Sequence, residues 1–166
     1  MKITGKVTND EAKTIERMVR QCMNLLRKKE YELDIPAGAA DAAIRCLEVK
    51  RRKDSASRAN GSFIRINLGY WQVGNRFHTE YAAFNDHPII GKVECASELD
   101  HYLCTVAHEV AHFVQYRYCR RVQRFKGTYK KPHGKCFQDI YLYLRRDLVN
   151  PRLKESLDRA NTLSYV

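Results

Sequence analysis

No run of apolar residues in this chain approaches the length of a membrane span, and the amino terminus, Met1-Lys2-Ile3-Thr4-Gly5-Lys6, has no apolar signal core. The six cysteines, at 22, 46, 95, 104, 119 and 136, include no Cys-x-x-Cys pair and are not spaced as a disulfide framework. Free thiols in a reducing cytosol are the expectation, and a cysteine zinc ribbon is excluded. With 166 residues, 44% of them hydrophobic, the chain is long enough to bury a core as a single domain over 1–166.

Acidic residues are missing where they would matter most. None occurs between Val110 and Gln138, and no glutamate occurs between Glu109 and Glu155. The formal charge is +11, which points to a nucleic acid, an acidic protein or an anionic surface as partner. Within the acid-free stretch lie Arg117, Arg120, Arg121, Arg124, Lys126, Lys130, Lys131 and Lys135, interleaved with Tyr116, Tyr118, Phe125 and Tyr129. Cations neutralise phosphates and exposed aromatics stack on unpaired bases, so Arg117, Arg120, Arg121, Arg124, Lys130 and Lys131 are the candidate nucleic-acid contacts. A solvated helix face with inward aromatics is the alternative. Lys50-Arg51-Arg52-Lys53 forms a second basic cluster.

What is present is His108-Glu109-Val110-Ala111-His112, inside a stretch from Leu99 to Arg124 that reads as one long helix. Histidines four apart on a helix point the same way and can share one metal, while the glutamate beside the first serves as a base. Leu99, Leu103, Val106, Val110 and Phe113 form an apolar seam, with the two histidines on the opposite side. Ser97 and Asp100 predict the capped start of this helix.

A third ligand follows by elimination. A downstream glutamate is absent, and positions 115 and 118, which an extended zinc-peptidase motif would fill with glycine and histidine, hold Gln115 and Tyr118. After His112 the only histidine is His133, at the threshold of a second helical pattern built from Phe137, Ile140, Tyr141, Leu144 and Leu148. His133 is the third candidate and Asp139 the fallback. His101, His78 and His87 are weaker candidates, and Cys104 and Cys136 are expected to be buried structural thiols.

His108-Glu109-Val110-Ala111-His112, a basic linker, and His133-Gly134-Lys135-Cys136-Phe137 together resemble the SprT-like metallopeptidase family, which includes bacterial SprT and the Spartan-type proteases of DNA-protein crosslinks. Lys50 to Tyr70, with its basic stretch, turn and strand Ile64-Arg65-Ile66-Asn67-Leu68, is also similar, so the resemblance covers roughly 43–148. It implies a zincin-like fold in which His108, His112 and His133 hold Zn²⁺, Glu109 is the catalytic base, and a following helix carries the third ligand. It implies cleavage of nucleic-acid-associated or DNA-crosslinked proteins, with single-stranded or distorted DNA engaging the linker 117–135. Tyr129 is the candidate oxyanion donor. Two other readings stay open: a non-catalytic, zinc-stabilised nucleic-acid-binding or interaction module, and a cytosolic peptidase with no nucleic-acid role.

For the rest of the chain, Thr8 and Glu11 predict a capped helix over 8–30. A strand over 43–52 and a strand over 63–68, with the turn signal Asn60-Gly61 between them, predict a hairpin in a small antiparallel sheet packed on helices, hence an α+β class. Residues 79–84 are a candidate edge strand for extended substrate, 85–88 a turn, and the segment from Asn150-Pro151 to Ala160 a last helix.

Overall fold

A computed structural model describes residues 1–28, 33–52, 56–70, 76–79, 84 and 86–163. The architecture is mixed α+β. Strand β1 (Lys2–Gly5) leads into helix α1 (Asn9–Leu26), whose start is closed by a reciprocal cap. The Glu11 N–H donates to Thr8 Oγ1 at 3.2 Å, and the Thr8 N–H donates to Glu11 Oε2 at 2.8 Å. Ala12, Ile15, Val19, Cys22, Met23 and Leu26 bury one stripe of α1. The last residues of the predicted 8–30 helix lie outside the described ones.

Residues 39–45 are a helix, not the start of a strand. Helix α2 (Ala39–Arg45) packs Ala39, Ala40, Ala43 and Ile44 into the core, and strand β2 covers only Leu47–Arg51. The sheet is correspondingly different from the antiparallel one expected. Its order is β1-β2-β4-β3, where β3 is Arg58–Ala59 and β4 is Ile64–Asn67. β1, β2 and β4 run parallel, with Val49 opposite both Ile3 and Ile66. The α1–α2 crossover separates β1 from β2, and such a connection delivers parallel strands. Asn60-Gly61 does make the predicted turn, with the Ser62 N–H on Asn60 Oδ1 at 2.8 Å, but it joins β3 to β4. The short strand β3 therefore reverses the chain before β4, and the 43–52/63–68 hairpin does not form.

Strands β5 (Phe77–His78) and β6 (Val93–Glu94) form a separate antiparallel pair. The candidate edge strand at 79–84 falls largely outside the described residues, while of the turn at 85–88 residues 86–88 are described, with the His87 N–H on the Phe84 carbonyl at 2.9 Å.

Helix α3 (Glu98–Tyr118) begins at the predicted cap, with the Asp100 N–H on Ser97 Oγ at 3.2 Å and the Ser97 N–H on Asp100 Oδ2 at 3.0 Å. It is shorter than the predicted stretch to Arg124. Short 3₁₀ turns at Cys119–Arg121 and Gln123–Phe125 follow instead, and they return the buried Cys119 and Phe125 to the core. Nor is α3 a one-seam helix. It lies between the sheet, α1 and a later helix, so residues on almost every side are buried, whereas Leu99, the first member of the predicted seam, is 53% exposed.

Helix α4 (Lys135–Leu144), a π turn (Arg145–Val149) and helix α5 (Asn150–Leu163) form one continuous rod through the expected boundary. Pro151 removes an N–H from an α-helical ladder, and the wider π turn just before it absorbs that loss. No helix among the described residues is long and apolar enough to cross a membrane.

Candidate metal centre

α3 and the turn before α4 bring three imidazoles to one point. His133 Nε2 lies 2.9 Å from His112 Nε2 and 3.2 Å from His108 Nε2. Among the described residues this is the one group of three or more histidine, cysteine or carboxylate side chains whose ligand atoms are close enough to hold a metal ion. Three imidazole nitrogens turned toward each other suit a transition metal and waste their lone pairs otherwise.

The backbone under His133 is built for this placement. Lys131-Pro132-His133-Gly134 is a tight turn closed by the Gly134 N–H on the Lys131 carbonyl at 3.0 Å. Proline at the second position and a positive φ at the third are the pattern of a type II turn, and His133 has φ 55°. A non-glycine residue there costs about 1–2 kcal/mol. Gly134 is required for a different reason: a Cβ there would meet the Lys131 Cβ at 2.9 Å. The Gln138 side chain closes the other end, its Nε2 donating to the His133 carbonyl at 2.9 Å.

Gln115 connects the two halves of the centre. Fully buried, it places Oε1 3.1 Å from His112 Nδ1, so His112 donates there and turns its Nε2 lone pair to the centre. Its Nε2 donates to the carbonyls of Tyr129 at 2.9 Å and Lys131 at 2.8 Å. One side chain thus fixes an imidazole of α3 and the loop that presents His133. Sequence reasoning assigned it no role. The signal available was a glutamine within an otherwise apolar stretch, three residues after a candidate ligand and hence on the same helix face.

Phe137 supplies the floor, its ring centroid 4.9, 4.3 and 4.8 Å from those of His108, His112 and His133. Tyr141 packs on His108 at 5.3 Å and Phe84 approaches His133 at 6.3 Å. Glu109 follows His108 on α3 and is buried, 5% exposed.

The remaining candidates are placed elsewhere. Asp139 is not part of the group, and its carboxylate faces Lys135 at 3.4 Å. His78 and His101 pair with each other, Nδ1 to Nδ1 at 3.2 Å, and His87 Nδ1 accepts the N–H groups of Ile89 and Ile90. The thiols of Cys104 and Cys136 are buried and hydrogen-bond Cys95 and Cys119. The Cys136 thiol, followed by burial, pushes the Cys119 thiol well above the ordinary cysteine range, while the bond from Cys104 lowers Cys95. Tyr129 enters the site's support through its carbonyl, and its ring is partly buried against the core.

Arg117, Arg120, Arg121, Arg124, Lys130 and Lys131 are all exposed along 117–135. Of the aromatics between them, Tyr118 and Tyr129 are half-buried against the core and Tyr116 is half-buried beside His112. Phe125 is buried, and Arg117 lies over Phe113 and Tyr118, Arg124 over Phe125 and Lys130 over Tyr129. Arg117 also donates to the Gly61 carbonyl at 2.8 Å, tying the start of the basic segment to the β3–β4 turn.

Comparison with protein-family models, with curated proteins and with solved structures returns no match. The geometry of the three histidines therefore carries the functional reading.

Proposed function

We propose that this chain is a zinc-dependent endopeptidase of the SprT-like, zincin-like kind. The observation that carries the reading is the convergence of His108, His112 and His133 Nε2 next to a buried Glu109 on the same helix. The donor set fits zinc: three imidazoles, no thiolate, and among the described residues no fourth cysteine, histidine or carboxylate joining the group. Such a set leaves one position open, whereas a structural zinc site closes all four. That distinction favours an enzyme over a zinc-stabilised binding module.

Zinc held there would supply a Lewis acid for a peptide carbonyl and lower the pKa of bound water towards about 7. The chain's own part is the movement of the proton. Glu109 accepts it from the attacking water and returns it to the leaving amine. Gln115 holds His112 in the tautomer that leaves Nε2 as acceptor, and the Phe137 floor excludes bulk water from one side.

The substrates we propose are proteins bound or crosslinked to nucleic acid, with DNA engaging the exposed cations of 117–135. Support comes from position: that basic segment runs directly from the end of α3 to His133, so a polyanion lying on it would pass beside the site. The test is cleavage of a DNA-binding protein with and without single-stranded DNA, comparing wild type with Glu109→Gln. Loss of cleavage with zinc retained supports the peptidase, and stimulation by DNA supports the substrate class. Zinc binding with no cleavage of any protein substrate would leave the binding module as the reading.

A further inference from the structure

Among the described residues, four phenylalanine or tyrosine rings lie against the three histidines, and three of the four are buried. Phe137 and Tyr141 are fully enclosed, and Phe84 is 8% exposed. The fourth is Tyr116, whose ring stacks on that of His112 with centroids 6.1 Å apart and planes 16° from parallel. Tyr116 is only half-buried, and it is not one of the half-buried apolar side chains that pack against the core. Of these four rings, it is the one through which the centre meets solvent.

The placement follows from helix geometry. Residues four apart share a face, and long side chains lean toward the helix amino terminus, so a ring at 116 comes to lie over the turn that carries His112. The backbone beneath the ring is pinned by another element. The β3–β4 turn packs so closely on the end of α3 that a Cβ at Gly61 would sit 3.3 Å from the Tyr116 carbonyl carbon, and Arg117 Nη1 donates to the Gly61 carbonyl at 2.8 Å. Gln115 already orients His112 through Nδ1. The Tyr116 ring is thus fixed in position beside a ligand whose own orientation is set by another side chain.

We propose that the Tyr116 ring is a wall of the substrate site beside the metal centre, the surface on which a large apolar side chain next to the cleaved peptide bond packs. The inference rests on the peptidase reading and deepens it. A stiff, planar ring that already has one side on His112 gives up little freedom on such a contact, and apolar or aromatic partners gain most from it. The wall also bears on the class of substrate. Large apolar side chains are buried in folded proteins, so a preference for them directs cleavage to unfolded or locally opened segments.

The test is calorimetric titration of the zinc-loaded full chain with two small hydroxamates that differ only in carrying a benzyl or a methyl side chain beside the zinc-binding group. Wild type should bind the benzyl compound about tenfold more tightly than the methyl one. Tyr116→Ala should abolish that ratio, Tyr116→Phe should preserve it, and zinc itself should bind both variants as it binds wild type. A merely structural role would weaken both compounds together and leave the ratio intact. In peptide cleavage, the preference for phenylalanine over alanine at the cleaved bond should fall in parallel in Tyr116→Ala. No ratio in wild type, a ratio unchanged in Tyr116→Ala, a loss as large in Tyr116→Phe, weaker zinc binding by Tyr116→Ala, or no binding of either compound would overturn the wall. Each of these can occur while wild type cleaves protein substrates and the peptidase reading stands. A ratio that falls in Tyr116→Ala although no protein is cleaved would keep the apolar wall and remove the peptidase instead.

Discussion

His112 Nδ1 lies 3.1 Å from Oε1 of Gln115, one helical turn further along α3. This contact couples the metal centre to the fold, because the amide nitrogen of the same side chain holds the carbonyls of Tyr129 and Lys131. Gln115→Leu should therefore lower zinc affinity by about 10- to 100-fold and cost about 1–3 kcal/mol of stability, through the Tyr129 carbonyl left without its donor and the Lys131 carbonyl left with the Gly134 N–H alone. Gln115→Glu keeps an acceptor for His112 and loses the donor, so it should retain more of the affinity than Gln115→Leu. Zinc titration against a competing chelator, with urea unfolding of the same variants, separates the two effects.

The turn that presents His133 predicts an unusual order of stabilities. With φ at 55°, alanine is as strained there as histidine, while glycine is not. His133→Gly should be about 1 kcal/mol more stable than His133→Ala in the metal-free state, although both lose the third ligand. Thermal unfolding in chelator checks it. Equal stabilities would mean that the turn carries no strain.

Much of this arrangement was legible in the sequence because it is local. The caps Thr8/Glu11 and Ser97/Asp100 act over three residues, and His108 and His112 share a face through helical geometry alone. His133 was reached by elimination. What was not legible depends on distant chain. The parallel pairing of β1 with β2 is set by the α1–α2 crossover and that of β2 with β4 by the intervening β3, and no alternation pattern encodes strand direction. Residues 39–45 carry too few turns for helical periodicity to stand out from a strand. The role of Gln115 exists only because the loop at 129–131 folds back on it. Arg124, read as helical, is turned out of the helix by the need to bury Cys119 and Phe125.

Arg145 could not have been placed from sequence, since it is a fully buried arginine on a helix whose neighbours looked amphipathic. Its Nε donates to Asn150 Oδ1 at 2.9 Å, five residues on, a spacing that the π turn provides. Its Nη1 and Nη2 reach the Ile90 and Gly91 carbonyls at 3.5 and 3.4 Å, and Asn150 Nδ2 donates to the Ile89 carbonyl at 3.1 Å. Together they grip three successive carbonyls. Arg145→Met should cost about 3 kcal/mol, and Arg145→Lys, which keeps the charge and loses the fork, should recover only part of it. Hydrogen exchange and chemical unfolding are the measurements, with faster exchange across 89–91 in both variants.

Acid should loosen the β1–α1 corner first. Burial alone would raise the Glu11 pKa, but the Thr8 N–H and hydroxyl and the Arg51 guanidinium outweigh it and hold the carboxyl below its ordinary value of 4.5. The Arg65 bond holds Glu48 low as well. A folded-state pKa below the unfolded one gives stability that is complete above the unfolded value and is lost as pH falls through the folded one. Unfolding midpoints should thus be flat near neutrality and fall below about pH 4.5. Glu11→Gln should be less stable at neutral pH and show a shallower acid decline.

The most direct test of the central claim is X-ray absorption of the zinc-loaded protein, paired with cleavage assays of wild type and Glu109→Gln. The account predicts one zinc bound by three imidazole nitrogens and an oxygen, no sulfur ligand, and a Glu109→Gln protein that keeps this shell while losing cleavage. A sulfur ligand, a fourth protein ligand, or cleavage undiminished in Glu109→Gln would contradict it.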